Sequence, residues 1–184
     1  MADLAGSDLQ NASLCDMACG TGMFLEHLQK SGRPPARYVG LDICPDAIAR
    51  AQTKFPNQSF RLCDVLQAPV PILPQPVDYT IINGLFTVKA ALPDEQMWSF
   101  MTNVIERLWA QTGKGLAFNV MSSVVDWTRQ DLFHVSMDRL AAWAFSLAGR
   151  RVVFRNDYDL YEYTVYLHRD AIADRASNGP VLGS

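Results

Sequence analysis

Leu14-Cys15-Asp16-Met17-Ala18-Cys19-Gly20-Thr21-Gly22 is the stretch that decides the fold of this chain. Residues 12–16 read as a short apolar strand that ends on an acidic side chain and runs straight into a turn carrying Gly20 and Gly22. Glycine takes positive φ without steric cost and lets backbone come close to a ligand. A helix follows at once, because Phe24, Leu25 and Leu28 recur at helical spacing. Strand, glycine turn and helix in that order place a binding loop at the carboxyl end of a strand.

Working outward, Arg33-Pro34-Pro35 breaks the helix and residues 38–43 form a buried strand through Asp42. Pro45 suits the first turn of a second helix that carries Ala47, Ile48 and Ala51 inward. Residues 59–63 are a third strand ending at Asp64, and Pro69, Pro71, Pro74 and Pro76 then enforce a loop. Residues 77–83 are a fourth strand. Pro93 opens the longest helix, with Met97, Met101, Val104, Ile105 and Leu108 on one face. Gly113-Lys114-Gly115 turns into a fifth strand at 116–121, residues 122–135 read as irregular, and a helix passes through Leu140, Trp143 and Leu147.

The strands expected at 151–154 and 161–167 are separated by only a few residues. Parallel neighbours need a crossover of a dozen or more, so these two must be antiparallel. The chain is therefore predicted to be α/β, a doubly wound Rossmann-like seven-stranded sheet, mostly parallel, with an antiparallel C-terminal hairpin strand.

At 184 residues the chain supports one domain. We expect a short N-terminal segment at 1–11, the domain proper at 12–169 and a disordered tail at 170–184. Eleven residues are too few to build a stable helix of their own over the first strand. Either a longer natural extension or another subunit is then expected to supply it. Apolar surface at Leu14, Phe24 and Leu28 would be left open, which points to self-association as a homodimer.

A hydrophobic share of 49% with 19% charged residues is that of a soluble globular chain. The net charge of −3 lacks the basic footprint of a nucleic-acid binder, so no nucleic-acid partner is expected. No apolar run approaches the roughly 20 residues that cross a bilayer, and the amino terminus lacks a signal-peptide pattern. A cytoplasmic location away from membranes follows. Cys15, Cys19, Cys44 and Cys63 form no CxxC pair, so they read as free thiols and no metal is expected.

The acidic residues Asp16, Asp42 and Asp64 stand at successive strand ends, where ligands bind in an open α/β sheet. Asp42 can accept hydrogen bonds from both hydroxyls of a ribose, and Asp64 can accept from an adenine amino group. Asp16 puts negative charge where a dinucleotide would hold its pyrophosphate. A cationic, phosphate-free nucleoside matches that polarity better.

The stretch from Leu14 to Gly22 resembles the first motif of class I S-adenosylmethionine-dependent methyltransferases, an acidic residue followed by Gly-x-Gly-x-Gly with Ala18 in place of the first glycine. Leu41-Asp42-Ile43 is similar to the family's ribose-binding strand end, and Cys63-Asp64-Val65 to its adenine-binding segment. Asp78-Tyr79-Thr80-Ile81-Ile82-Asn83 resembles its fourth strand, and the terminal hairpin its last two. The resemblance runs from about Ala12 to Arg169. It implies S-adenosylmethionine as cofactor, held by Asp16, Ala18, Cys19, Gly20, Gly22, Asp42, Ile43, Asp64, Val65 and Asn83. Sequences with this hairpin resemble bacterial methyltransferases whose acceptors are unassigned.

Two other readings compete. A nicotinamide dinucleotide would want G-x-G-x-x-G, but the third glycine falls on Met23. A non-catalytic binding or assembly subunit would have no need of three acidic strand ends.

Asn83-Gly84-Leu85-Phe86 lacks the paired prolines of amino-methylating enzymes acting on DNA or protein glutamine. Cys44-Pro45 reverses the Pro-Cys order of cytosine C5 enzymes. A small-molecule acceptor remains, methylated on oxygen or nitrogen. Asp126, Trp127, Arg129, Asp131 and His134 form its natural wall. Asp126, Arg129, His134 and Tyr158 are the candidate substrate contacts, with His134 the candidate general base. For Arg129 an ion pair with Asp126 or Asp131 is the plainer alternative, and for His134 a capping or solvent-facing role. Tyr158, in the hairpin turn, is expected to be free for a ligand.

Overall fold

The computed structural model describes residues 1–169; the expectation for 170–184 lies outside the described residues. Eight strands form one sheet: β1 (Ser13–Met17), β2 (Arg37–Asp42), β3 (Ser59–Leu62), β4 (Val77–Phe86), β5 (Thr112–Ser122), β6 (His134–Val135), β7 (Val152–Arg155) and β8 (Glu162–His168). The strand order is β3-β2-β1-β4-β5-β8-β7, with β6 paired to the end of β5. The pairs among β1 to β5 are parallel, whereas β8 runs antiparallel to both β5 and β7. The sheet thus has the predicted architecture plus one short strand.

That extra strand corrects the expectation that 122–135 is irregular throughout. His134 and Val135 pair in parallel with Met121 and Ser122. Two residues carry no detectable periodicity, so only tertiary pairing reveals them.

The alternation of β1 divides its side chains between two cores. Cys15 and Met17 face α3 (Asp94–Trp109) and α4 (Met137–Ala148), together with Ile82, Phe118, Tyr163, Val165 and Leu167. Leu14 faces the other side, with α1 (Met23–Lys30) and α2 (Pro45–Lys54) supplying Leu25, Leu28, Ile48 and Ala51. Pro45 occupies the first turn of α2 as expected. The buried face of α4 is drawn by Leu140, Ala144 and Ala148, with Trp143 and Leu147 at its margin. Tyr161 departs from the expected face of the last strand. It precedes β8 and is 43% exposed, whereas Tyr163, Val165 and Leu167 are fully enclosed.

The amino terminus overturns the expectation of an open apolar face. Two short 3-10 helices, Ala2–Leu4 and Gly6–Asn11, press Leu4 and Leu9 onto Leu14, Tyr79, Ile81 and Tyr166. Leu14 and Leu28 are buried and Phe24 is half-buried, so no bare patch remains there to drive self-association. Asp3 adds an ion pair to Arg155, and Asp8 one to Lys114. Short helices that are marginal in isolation persist because the core face beneath them is apolar.

Candidate functional site: a cleft at the switch point of the sheet

Strand order reverses between the parallel neighbours β1 and β4, and a ligand cleft is expected outside their carboxyl ends. A cleft of about 330 Å³ lies there, lined by Met17 and Ala18 after β1, Asp42 and Ile43 after β2, and Asn83, Gly84 and Leu85 on β4. Of the expected cofactor residues, the fold brings Ala18, Asp42, Ile43 and Asn83 to this lining.

The turn is shaped by backbone that few side chains tolerate. Ala18, Gly20 and Gly22 all have positive φ, at 60°, 53° and 79°. The two glycines serve different ends. A Cβ on Gly20 would meet nothing within 4 Å, which leaves room for a ligand, whereas one on Gly22 would lie 2.8 Å from the Phe55 ring. Gly22 therefore allows α1 to pack beside α2. Ala18 holds the left-handed conformation despite its methyl group, a strain of about 1 kcal/mol.

Asp42 locks the turn to β2. One carboxylate oxygen accepts the Gly20 N–H at 2.8 Å and the other accepts the Cys44 N–H at 2.9 Å. Each oxygen keeps a further lone pair for a hydroxyl. Beside it, Ile43 is 64% exposed, an apolar surface at the mouth of the cleft suited to the face of a purine.

Asp16 lies beneath the turn, 2% exposed, and its carboxylate accepts the Tyr38 hydroxyl at 2.7 Å. Burial, with the nearby Asp42 charge adding to it, pushes its pKa up to about 7 against the opposing Tyr38 hydrogen bond. Two adjacent carboxylates would repel a pyrophosphate and attract a cation. Cys19 is buried behind the turn, its thiol pushed up to about 12 chiefly by desolvation.

Asp64 is exposed after β3 and caps its own turn, accepting the Leu66 and Gln67 N–H groups at 2.9 and 3.3 Å. Val65 is buried at 2% in the α3 core, so its side chain serves packing.

Sequence reasoning missed the lip of the cleft. The β4–β5 register slips between Ile82 and Phe86, which bulges out the intervening residues. Gly84 there has φ 76° and donates its N–H to the Asn119 side-chain oxygen at 2.8 Å. Asn119 in turn donates its amide to the Glu162 carboxylate. A glycine inside a strand pattern is a bulge signal, and Gly84 supplied one.

Past the bulge, the chain after β4 and the chain before β6 run side by side: Phe133 N–H donates to Thr87 O and Lys89 N–H to Asp131 O, both at 2.9 Å. They enclose a second, open cavity of about 730 Å³ whose lining includes Lys89, Leu92, Arg129, Asp131 and His134. Arg129 grips Asp131 through two hydrogen bonds. The ion pair anticipated as the alternative for Arg129 is thus present. Asp126 is exposed, and its charge helps raise the pKa of the Tyr161 hydroxyl.

His134 neither caps α4 nor faces solvent. Ser136 caps that helix, and the His134 ring is half-buried against Trp127 with centroids 6.4 Å apart. Its Nδ1 lies 2.8 Å from the Ser122 carbonyl, which can only accept. The proton therefore sits on Nδ1, and the Nε2 lone pair is buried with no protein partner. Tyr158 is not free as expected: its hydroxyl lies 2.9 Å from Thr164 Oγ1 across the hairpin, a bond open to a turn residue whose ring folds back on its own strand. The four cysteines are free thiols, and among the described residues no cluster of three acidic, histidine or cysteine side chains offers a metal site. No helix among the described residues is long and apolar enough to cross a membrane.

A doubly wound sheet with an acidic strand end gripping a glycine turn, above a buried carboxylate, is a nucleoside-binding α/β architecture. Residues 8–141 match the family model described as a methyltransferase domain, and the chain belongs to that family. It has the fold of class I S-adenosylmethionine-dependent methyltransferases, and S-adenosylmethionine is the cofactor of that family. Rv1506c of Mycobacterium tuberculosis, which bears a provisional methyltransferase name, is 27% identical over 163 residues, 85% of this chain and 93% of that protein. Magnesium protoporphyrin IX methyltransferase of Synechocystis PCC 6803, solved with bound S-adenosylmethionine, is 17% identical with a TM-score of 0.63, covering 92% of this chain and 76% of that one. CalS10 of Micromonospora echinaspora, an amino pentose methyltransferase, is 15% identical with a TM-score of 0.63, covering 92% and 88%. At these identities the two structures attest the fold.

Proposed function

We propose that this protein transfers the methyl group of S-adenosylmethionine to an oxygen or nitrogen of a small-molecule acceptor seated where the chains after β4 and before β6 meet. The observation that carries this reading is the Asp42 carboxylate held on the Gly20 amide at the switch point, with open space over Gly20 and a purine-sized apolar face at Ile43. The cleft and the second cavity each fall in the size range of small-ligand sites.

The residues present fit the cofactor. Asp42 would hold the ribose hydroxyls, Ile43 would cover the adenine, and Asp16 would oppose the cationic end. When bound, S-adenosylmethionine supplies a methyl group on a sulfonium, already activated for displacement. The protein's part is alignment and exclusion of water. His134, its tautomer fixed by Ser122, would take the proton an attacking hydroxyl or amine must lose once its buried Nε2 is uncovered.

Mass spectrometry of the denatured, freshly purified protein tests cofactor binding through copurified adenosyl ligand. A panel of small alcohols, phenols and amines, assayed by S-adenosylhomocysteine release, tests turnover. Release that depends on one acceptor class supports the proposal, and no release from any class together with no adenosyl ligand would refute it.

A further inference from the structure

A third cavity, about 250 Å³, opens at the amino end of β8, beside the carboxyl end of β5, and is lined in part by Val124, Leu160, Tyr161, Glu162 and Tyr163. Its walls are apolar surface left in water: Val124 is 83% exposed and Leu160 63%. Tyr161 is held edge-on by Trp127, with ring centroids 5.3 Å apart. In this setting Glu162 is half-buried, and the neutral Asn119 amide is its hydrogen-bond partner. Several acidic side chains are paired with a cation. Glu26, Asp131, Glu95 and Asp8 each have a Lys or Arg within ion-pair distance, whereas Glu162, like Asp16, Asp42 and Asp64, is in no ion pair among the described residues. The nearest arginine on the hairpin, Arg155, is already engaged by Asp3 and Asp157.

A carboxylate withdrawn from water without a cation is costly, and aromatic walls around it attract cations through their ring faces. We infer that this cavity is a subsite for an organic ammonium group, so that the acceptor is an amine-bearing molecule whose cationic nitrogen sits on Glu162 against Tyr161. The inference rests on the methyltransferase reading and names its substrate class. Glu162 also connects to the cofactor cleft. Through Asn119 it reaches the Gly84 amide at the lip, two strand spacings or about 10 Å away across β5. Trp127 touches both His134 and Tyr161, so it stands between the large cavity and this one.

Three matched probes decide it: 2-phenylethylammonium, 2-phenylethanol and 3-phenylpropionate, titrated into the full chain with and without S-adenosylhomocysteine. The ammonium should bind at least tenfold more tightly than the alcohol, and the carboxylate should be weakest. Glu162→Gln keeps an acceptor oxygen for Asn119 and should lose at least tenfold in ammonium affinity, while S-adenosylhomocysteine affinity stays within twofold. Tyr161→Ala, at an exposed position outside the strand, should also weaken the ammonium. Equal affinity for ammonium and alcohol, or unchanged binding in Glu162→Gln, would overturn the subsite. Failure of S-adenosylhomocysteine to bind the wild type would instead refute the methyltransferase reading and with it the acceptor role, so the two failures are told apart.

Discussion

The carboxylate of Asp42 reaches across from β2 to accept the Gly20 N–H at 2.8 Å. A loop with three consecutive alternate positions at positive φ is strained backbone, and this bond from a neighbouring strand sets its shape. The cleft is thereby organised before a cofactor arrives, which lowers the ordering cost of binding.

Ala18 is the weak point of that loop. At φ 60° a glycine would sit without strain, so Ala18→Gly should stabilise the fold by about 1 kcal/mol. For a chain of this length that corresponds to a rise of about 2–4 °C in the thermal midpoint. Calorimetry showing no rise, or a fall, would mean that the unfolded-state entropy of glycine outweighs the relief.

Asn119 couples the lip of the cleft to β8 by serving both Gly84 and Glu162. Asn119→Ala would leave the Gly84 amide and the Glu162 carboxylate without that partner, at a cost of about 1–3 kcal/mol. Chemical denaturation should show the loss, and S-adenosylhomocysteine should bind more weakly. Unchanged affinity in the folded variant would remove the bulge from the cofactor site.

Asp16 makes stability depend on pH in an unusual direction. Its carboxyl is lifted from 3.8 to about 7, chiefly by desolvation. Between those values the folded protein keeps a proton that the unfolded chain has released, so stability should fall as pH rises from about 4 to 7. Asp16→Asn should flatten that slope in denaturation curves. A cationic cofactor favours the charged form, so binding of S-adenosylmethionine near pH 6.5 should release protons, read as heats that vary with buffer. Buffer-independent heats would contradict this role.

His134 is expected to affect chemistry and spare the cofactor. With an acceptor in hand, His134→Ala should lower turnover by about 100-fold or more if the acceptor must lose a proton. Affinity for S-adenosylhomocysteine should stay within about twofold. Arg129→Ala, which removes an exposed pair with Asp131, should have a smaller effect. Equal losses in cofactor affinity would assign the segment to the cofactor site.

The strand ends and the glycine turn were legible because local rules govern them. Asp16, Asp42 and Gly20 stand where an apolar run gives way to a turn, and the short link between β7 and β8 forced an antiparallel pair. What escaped was set by contacts distant in sequence. Leu4 and Leu9 belong to a segment too short to predict as helix, yet they find the apolar face of Leu14 and Ile81. The β6 pair exists only because β5 extends to Ser122. Gly84 advertised a bulge, but its partner Asn119 lies 35 residues away. Nothing local distinguishes Glu162 from a solvated strand residue.

Titration calorimetry with S-adenosylhomocysteine, on the wild type and Asp42→Ala, tests the cofactor assignment most directly. One saturable site is expected in the wild type, at least tenfold weaker in the folded variant, about 1.4 kcal/mol or more, with no heat from NADH. No S-adenosylhomocysteine binding, equal affinity in Asp42→Ala, or competition by NADH would contradict it.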